Sequence, residues 1–251
     1  KTFTTKTRVE SGQTLTSIST QPVVTIIEQV ATKLVFSPPP PWSINAGVWG
    51  GPITVQRQDA LNNPVTSGTT TVNLTTTSPH GKGKFSLTSG GTLITQLTIP
   101  DGQSSANFYY YDETAGVWTI TASATGLTSA TQNITVNPGS ISQLVITSPG
   151  ETFESGKGNS GTPTAQTAGT GFQIKLRYID QYFNLITSVN GNANLTFSGP
   201  GNAPDGTQPT YNGFVGMPIN VNFNNGVSDP VTVILYKAET VQIHVIDGSG
   251  Y

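Results

Sequence analysis

The feature that most limits what this chain can become is a repeat of strand plus turn. Ile53, Val55 and Arg57 alternate with Thr54 and Gln56, as a strand buried on one face does. The chain then enters Asp59-Ala60-Leu61-Asn62-Asn63-Pro64-Val65. This reads as a turn, because Asn tolerates left-handed backbone and an Asp carboxylate can accept from its own backbone. The same unit returns further on. Ile174-Lys175-Leu176-Arg177-Tyr178-Ile179 leads into Asp180, and Asn184 stands from Asp180 as Asn63 stands from Asp59. A repeated strand–turn unit of this kind predicts two copies of one β domain.

The remaining strands fall into the same two sets. Lys33-Leu34-Val35-Phe36 opens the first and Gln143-Leu144-Val145-Ile146 the second. Val72-Asn73-Leu74-Thr75 pairs with Ala193-Asn194-Leu195-Thr196, and the runs holding Phe108 and Tyr110 with the run from Val231 to Tyr236. The Trp118, Ile120, Ala122 strand pairs with Val241, Ile243 and Val245. Residues 93–99 read as one further strand, turned by Pro100-Asp101-Gly102. Strands at this spacing, with turn signals between them, predict an all-β chain: two tandem immunoglobulin-like β-sandwiches after an N-terminal extended strand. The expected boundaries are 1–30 for the extension, 31–138 for the first sandwich and 139–251 for the second. Thr and Ser supply about a quarter of the residues, and 28 Gly and 17 Pro serve the turns.

Charge narrows the partners. Only 10% of residues are charged and the net charge is −2, a poor match for nucleic acid, which calls for clustered Lys and Arg. No apolar run reaches the ~20 residues of a membrane-spanning helix. There is no Cys, and export permits disulfides without requiring them.

Two motifs, Arg57-Gln58-Asp59-Ala60-Leu61-Asn62-Asn63-Pro64-Val65 and Ala115-Gly116-Val117-Trp118-Thr119-Ile120-Thr121-Ala122, resemble bacterial immunoglobulin-like domains of the invasin/intimin type. The resemblance covers 31–137 well and 141–246 more loosely. The second copy lacks the Pro of the turn and carries a Gly-rich insertion near 156–171. What the resemblance implies is a surface protein built from stacked sandwiches, hence an extracellular, cell-surface location; that it is no enzyme and takes no cofactor is expected from the residues, which offer no catalytic constellation.

The two ends of the chain carry a further expectation. Thr131-Gln132-Asn133-Ile134-Thr135-Val136 closes the first sandwich, and the second stops before an equivalent strand. A strand of matching make-up lies ahead of the first sandwich at 21–30, where Val24 and Ile26 align with Ile134 and Val136, and Val23 and Ile27 make the other face apolar. A sandwich short of one strand leaves four or five core side chains uncovered at roughly 1.5–3 kcal/mol each, and opens two edges. Strand addition is the physical remedy. The linker of about five residues reaches at most ~18 Å, too short to run back along a sandwich, so the donor is expected to serve a neighbouring molecule. Repeated head to tail this gives a homopolymeric filament, pilus or sheath. The alternative is a cell-surface adhesin, a segment of surface-layer type, or a carbohydrate-binding module.

Other candidates are weaker. Asn73, Asn133 and Asn194 each sit in an Asn-X-Thr sequon and between inward apolar residues, so each is expected to face out as a possible glycosylation site. Trp42 and Trp49 follow a Pro-rich run and are candidates for stacking on surface glycans, or for covering a sandwich end or joint. Asp59 and Asp180 lack the converging oxygen ligands a Ca²⁺ site needs, and are read as turn caps, so no metal is expected. His80 and His244 fall in different sandwiches, and Asp112 and Glu113 are adjacent and point apart, so no catalytic constellation forms.

Overall fold

The computed structural model of the chain describes residues 29–37 and 42–251. Apart from one 3₁₀ turn at Pro79–Gly81, the regular elements among them are strands. The first sandwich is built from β1 (Lys33–Ser37), β2 (Trp42–Asn45), β3 (Gly50–Gln58), β4 (Thr70–Thr76), β5 (Lys84–Ser86), β6 (Leu93–Ile94), β7 (Gln96–Ile99), β8 (Ser105–Tyr111), β9 (Gly116–Ser123) and β10 (Ala130–Asn137). They make two five-stranded sheets, ordered β1-β3-β8-β5-β6 and β2-β10-β9-β4-β7. This is an immunoglobulin-like sandwich, with the opening strand β1 beside β3 on one layer and the closing strand β10 beside its hairpin partner β9 on the other. The closing strand β10 pairs antiparallel with β9 and parallel with β2, Ile134 standing opposite Trp118 and Trp42.

Alternation selects the core. Ile53 and Val55 of β3, Phe108 and Tyr110 of β8, Ile120 and Ala122 of β9, and Ile134 and Val136 of β10 are all buried, while the residues between them turn outward. The second sandwich repeats this with β11 (Gln143–Thr147), β14 (Phe172–Ile179), β15 (Gly191–Ser198), β16 (Thr210–Tyr211), β17 (Ile219–Asn224), β18 (Val227–Ser228), β19 (Val231–Ile234) and β20 (His244–Asp247), with β12 (Glu151–Glu154) and β13 (Gly158–Gly161) forming a separate hairpin. Its two layers are continuous through β18, which bridges β14 and β17. Register fixes the correspondence. Leu34 faces Arg57 as Leu144 faces Tyr178, and Ile53 faces Phe108 as Ile174 faces Val231.

The structure corrects the strand reading in several places. Residues 93–99 are two strands, not one. Thr95 carries the chain from one layer to the other, its carbonyl accepting from Leu74 N at 2.8 Å, so Leu93 is exposed while Leu97 is buried. The last strand begins at His244 rather than Val241, and its ladder to β15 runs from Ser198 opposite His244 to Leu195 opposite Asp247. The penultimate strand ends at Ile234, short of Tyr236. The Gly-rich insertion near 156–171 supplies β13, which pairs with β12 as a hairpin. Besides that hairpin, β2, β5, β16, β17 and β18 were not anticipated. β5 has only three residues, and β17 places Asn between its buried Ile219, Val221 and Phe223, so its composition resembles a turn although its period is that of a strand.

One buried cation pins the first sandwich. Arg57 is 1% exposed. Its Nε donates to the Val65 carbonyl (2.8 Å), Nη1 to Thr70 Oγ1 (2.9 Å), and Nη2 to the carbonyls of Thr66 (2.9 Å), Pro100 (3.3 Å) and Gln103 (2.7 Å). No carboxylate pairs with it among the described residues. The guanidinium is stabilised by directed dipoles alone, and it ties two connections, 65–70 and 100–103, to β3. Replacing Arg57 with Met leaves those carbonyls without a donor, at about 1–3 kcal/mol each for any that stays dry. The expected result in thermal unfolding is a fall of roughly 10 °C in the midpoint of the first sandwich.

Candidate functional site

The repeated turn is where the two sandwiches meet. In the second sandwich, Asp180 Oδ1 accepts from the backbone N–H of Tyr182 (2.8 Å) and Asn184 (2.9 Å), and Oδ2 accepts from Asn184 Nδ2 (2.8 Å). The linker joins the same carboxylate, Gly139 N donating to Oδ2 at 2.8 Å. All four donors are N–H groups, so the carboxylate is spent on shaping the turn. Among the described residues no three His, Cys, Asp or Glu side chains gather as a metal site.

Asn184 then reaches out of its own sandwich. Its Nδ2 donates to the Glu113 carbonyl at 2.7 Å, and its Oδ1 accepts from Ala115 N at 2.8 Å. The side chain is fully buried. It closes onto the 112–115 turn of the first sandwich as another peptide group would, one donor and one acceptor at once. That turn is itself fixed: Asp112, also buried, accepts from Tyr110 Oη at 2.5 Å and Thr114 N at 2.9 Å. Burial and the Asp112 carboxylate together push the Tyr110 phenol up, so it remains the proton donor.

Tyr182 supplies the apolar part of the contact. Its ring packs against the first core and lies over Gly47, where φ is +80° and a β-carbon would collide with the phenol. Gly is therefore demanded at 47 twice, by backbone conformation and by space. Tyr111 sits beside Tyr182. Burial, its hydrogen bond with Tyr182 and the neighbouring Glu113 push its phenol up. Burial disfavours the charged form of Glu113, but hydrogen bonds from Lys82 (2.6 Å) and Tyr111 (3.0 Å) outweigh it and hold the carboxyl below the usual range. The β12–β13 hairpin buttresses the joint from the side. Gly156 N donates to the Phe183 carbonyl at 3.0 Å, Ser155 Oγ accepts from Leu185 N at 3.0 Å, and Glu154 reaches His80 of the first sandwich at 3.2 Å.

The sequence candidates are distributed as follows. Trp42 is half-buried in β2, edge-on to Phe36 with centroids 5.5 Å apart, and packs against the first core. Trp49 is half-buried and lies against Tyr111 at 5.2 Å, next to the joint. The two indoles are thus engaged by different neighbours, one in the core and one at the sandwich end. Asn73, Asn133 and Asn194 are all exposed. Each amide oxygen accepts from the adjacent strand: from Gln96 (2.7 Å), Thr119 (2.9 Å) and Asn220 (3.2 Å) respectively. Asp112 and Glu113 point apart, one into the core and one to Lys82. His244 is exposed on β20. Val23, Val24, Ile26 and Ile27 lie outside the described residues.

A second feature is the outer edge of β20. In the first sandwich the edge of β9 is covered by β10. Among the described residues of the second, β20 pairs with β15 alone. The side chains nearby are less covered than their counterparts. Leu34 and Ile120 are 2% and 0% exposed, whereas Leu144 and Val245, in the equivalent places, are half-buried.

Sequence reasoning missed Asn184, Tyr182 and the 112–115 turn as a unit. The spacing of Asp180 and Asn184 was visible and names the turn, but nothing in it shows where the other side of the Asn184 amide goes. No helix among the described residues is long and apolar enough to cross a membrane.

No protein-family model matches the chain, and no curated protein matches it in sequence. Solved structures do resemble it. FdeC, an Escherichia coli adhesin, is 18% identical with a TM-score of 0.36, over 86% of this chain and 58% of that one. Domains 5–6 of the S-layer protein SbsC are 18% identical with a TM-score of 0.32, over 86% and 90% of the two chains. The Yersinia pseudotuberculosis adhesin InvE is 16% identical with a TM-score of 0.31, over 87% and 55%.

Replacing Asn184 with Ala removes both partners of a buried peptide-like contact, a cost of roughly 2–4 kcal/mol borne mainly by the joint. Small-angle scattering should then show a broad spread of inter-sandwich orientations in place of one, while each sandwich keeps its own unfolding transition.

Proposed function

We propose that the chain is a stiff tandem segment of an extracellular surface protein, of adhesin or surface-layer type, whose work is to hold sandwiches in line. The observation that supports this is the Asn184 contact. Linked domains move relative to one another unless their interface is large or specifically bonded, and here a buried amide, a tyrosine over a glycine and a side hairpin restrict that motion together. The exposed sequons at Asn73, Asn133 and Asn194 belong to this reading as candidate sites for glycan attachment on the outward sheet faces.

A second reading, in which the chain is a filament subunit assembled by strand donation, is favoured by a specific repeat. Gln29 reaches Asp59 through Nε2 at 3.2 Å, five residues ahead of Leu34. Gly139 reaches Asp180 five residues ahead of Leu144. The chain therefore enters the first sandwich along the path by which the linker from β10 enters the second. Counting back ten residues from Leu34 and Leu144 puts Val24 at the place of Ile134, and Ile26 falls likewise at that of Val136. In this reading residues 23–27 complete the β20 edge of another copy, and Val24 and Ile26 each contribute roughly 1.5–3 kcal/mol on burial.

Electron microscopy of the purified chain and of a variant lacking residues 1–28 tests both readings. The first expects two-lobed particles with one fixed angle between lobes in both proteins, and lobes at random angles overturn it. The second expects strings of particles from the full chain that are absent from the shortened one. Strings that survive the deletion, or no strings at all, overturn that reading.

A further inference from the structure

Arg57 and Arg177 are engaged in opposite ways. Arg57 is sealed in the first sandwich and makes five hydrogen bonds. Arg177 is half-buried in β14 and donates once, from Nη1 to Thr147 Oγ1 at 2.6 Å. That hydroxyl donates in turn to Asn159 Oδ1 at 2.8 Å, which fixes the anchor. The guanidinium carbon lies 4.8 Å from the centre of the Phe153 ring, held over its face. Among the described residues no carboxylate pairs with Arg177, and its Nε and Nη2 have no acceptor. Burial lowers its pKa, with no anion beside it to offset the loss. The result is a positioned planar fork with spare donors.

Arg177 lines a groove of about 370 Å³ between the β12–β13 hairpin and the outward face of β14. Gln173 and Lys175 line it too, in one row with Arg177, because buried Ile174 and Leu176 alternate with them. Both are exposed, and neither side chain makes a hydrogen bond among the described residues. On the hairpin side the groove is lined by Glu151 and Phe153. Glu151 Oε2 accepts from Ser148 N at 2.9 Å, and Oε1 has no donor among the described residues. The groove therefore offers spare donors from β14 and a spare acceptor from the hairpin.

The first sandwich shows what this row looks like without a groove. By register, Gln56 stands where Arg177 does, and Thr54 where Lys175 does. Those side chains are neutral and already paired: Gln56 Oε1 accepts from Gln58 Nε2 at 2.8 Å, and Thr54 Oγ1 donates to Asn107 Oδ1 at 2.8 Å. The connection from β1 to β3 supplies β2 to the other layer, whereas the connection from β11 to β14 folds out as the hairpin. The second copy thus differs from the first in two matched respects, a cationic row and an inserted hairpin that brings an aromatic ring and a carboxylate to it.

We propose that this groove binds a carboxylate-bearing sugar, a uronic acid unit of an acidic glycan. A carboxylate matches the Arg fork in plane and can take two parallel hydrogen bonds from it. Lys175 adds a second positive charge, and Glu151 leaves the lining with one positive charge in excess, which suits a monoanion better than a phosphate dianion. Sugar hydroxyls donate to Glu151 Oε1 and exchange hydrogen bonds with the Gln173 amide. This reading does not rest on the joint at Asn184.

The test varies the ligand against the unaltered chain. Full-length ¹⁵N-labelled protein is titrated at constant ionic strength with sodium D-glucuronate, D-glucose, acetate and inorganic phosphate. Arg177 is one of three Arg in the sequence, so its side-chain Nε–H signal is readily assigned. Glucuronate should shift that signal and the amides of Thr147, Lys175 and Arg177 saturably. The other three probes should bind at least about tenfold more weakly, each lacking the carboxylate, the hydroxyls or the single charge. No shift in the groove, shifts that never saturate, or equal binding of glucose, acetate or phosphate overturns the proposal. Lys175→Gln should weaken glucuronate several-fold with the unfolding midpoint unchanged, since this exposed side chain holds nothing in the fold. Lys157→Gln removes the same charge from the hairpin outside the groove and should leave affinity unchanged. Equal losses in the two variants reduce the effect to net charge and overturn the site.

Discussion

One primary amide bonds the two sandwiches of this protein to each other. The Asn184 side chain is fully buried between two sandwiches and has both its donor and its acceptor matched to main-chain groups of the 112–115 turn. A buried amide left unpaired costs about 1–3 kcal/mol, so any slip of the sandwiches by more than a hydrogen-bond length is resisted. Several other features of the region make sense as support for that amide. Asp180 shapes the turn that presents it, Asp112 and Tyr110 fix the turn that receives it, and Gly47 leaves room for Tyr182 alongside.

The joint has a direction. The second sandwich projects a side chain that reads backbone, and the hairpin turn of the first offers backbone to be read. Among the described residues β20 pairs with β15 alone, and half-buried Leu144 and Val245 lie beside its outer edge. Charge plays little part. Ion pairs at the joint, such as Lys82 with Glu113, are solvent-accessible on the Lys side and add modestly to a contact held by packing and directed hydrogen bonds.

The fold was legible in the sequence because its signals are local and periodic. Ile53, Val55, Ile120, Ala122, Ile134 and Val136 alternate in the chain and are buried in the sandwich. The turn at 59–63 carries residues with a stated backbone preference. Where the reading slipped, the cause was non-local. Residues 93–99 have the composition of one strand, and only the position of the two sheets decides that Thr95 must pass between them. β17 hides its period behind Asn. The joint was half legible: the spacing of Asp180 and Asn184 announces a turn, but the partner of Asn184 is some seventy residues away at Glu113 and Ala115. Arg57 shows the same limit: the alternation puts it on the face of Ile53 and Val55, but the carbonyls of 65–66 and 100–103 that receive its guanidinium are set by the fold and not by the strand.

If Asn184 bonds the two sandwiches in solution, amide hydrogen exchange at Ala115 reports it. The Ala115 N–H has a side chain from the other sandwich as its acceptor. Exchange at Ala115 is expected to be slow in the intact chain and about tenfold or more faster in an Asn184→Ala variant, while amides in the β9–β10 ladder are unchanged. Equal and rapid exchange at Ala115 in both proteins would contradict it.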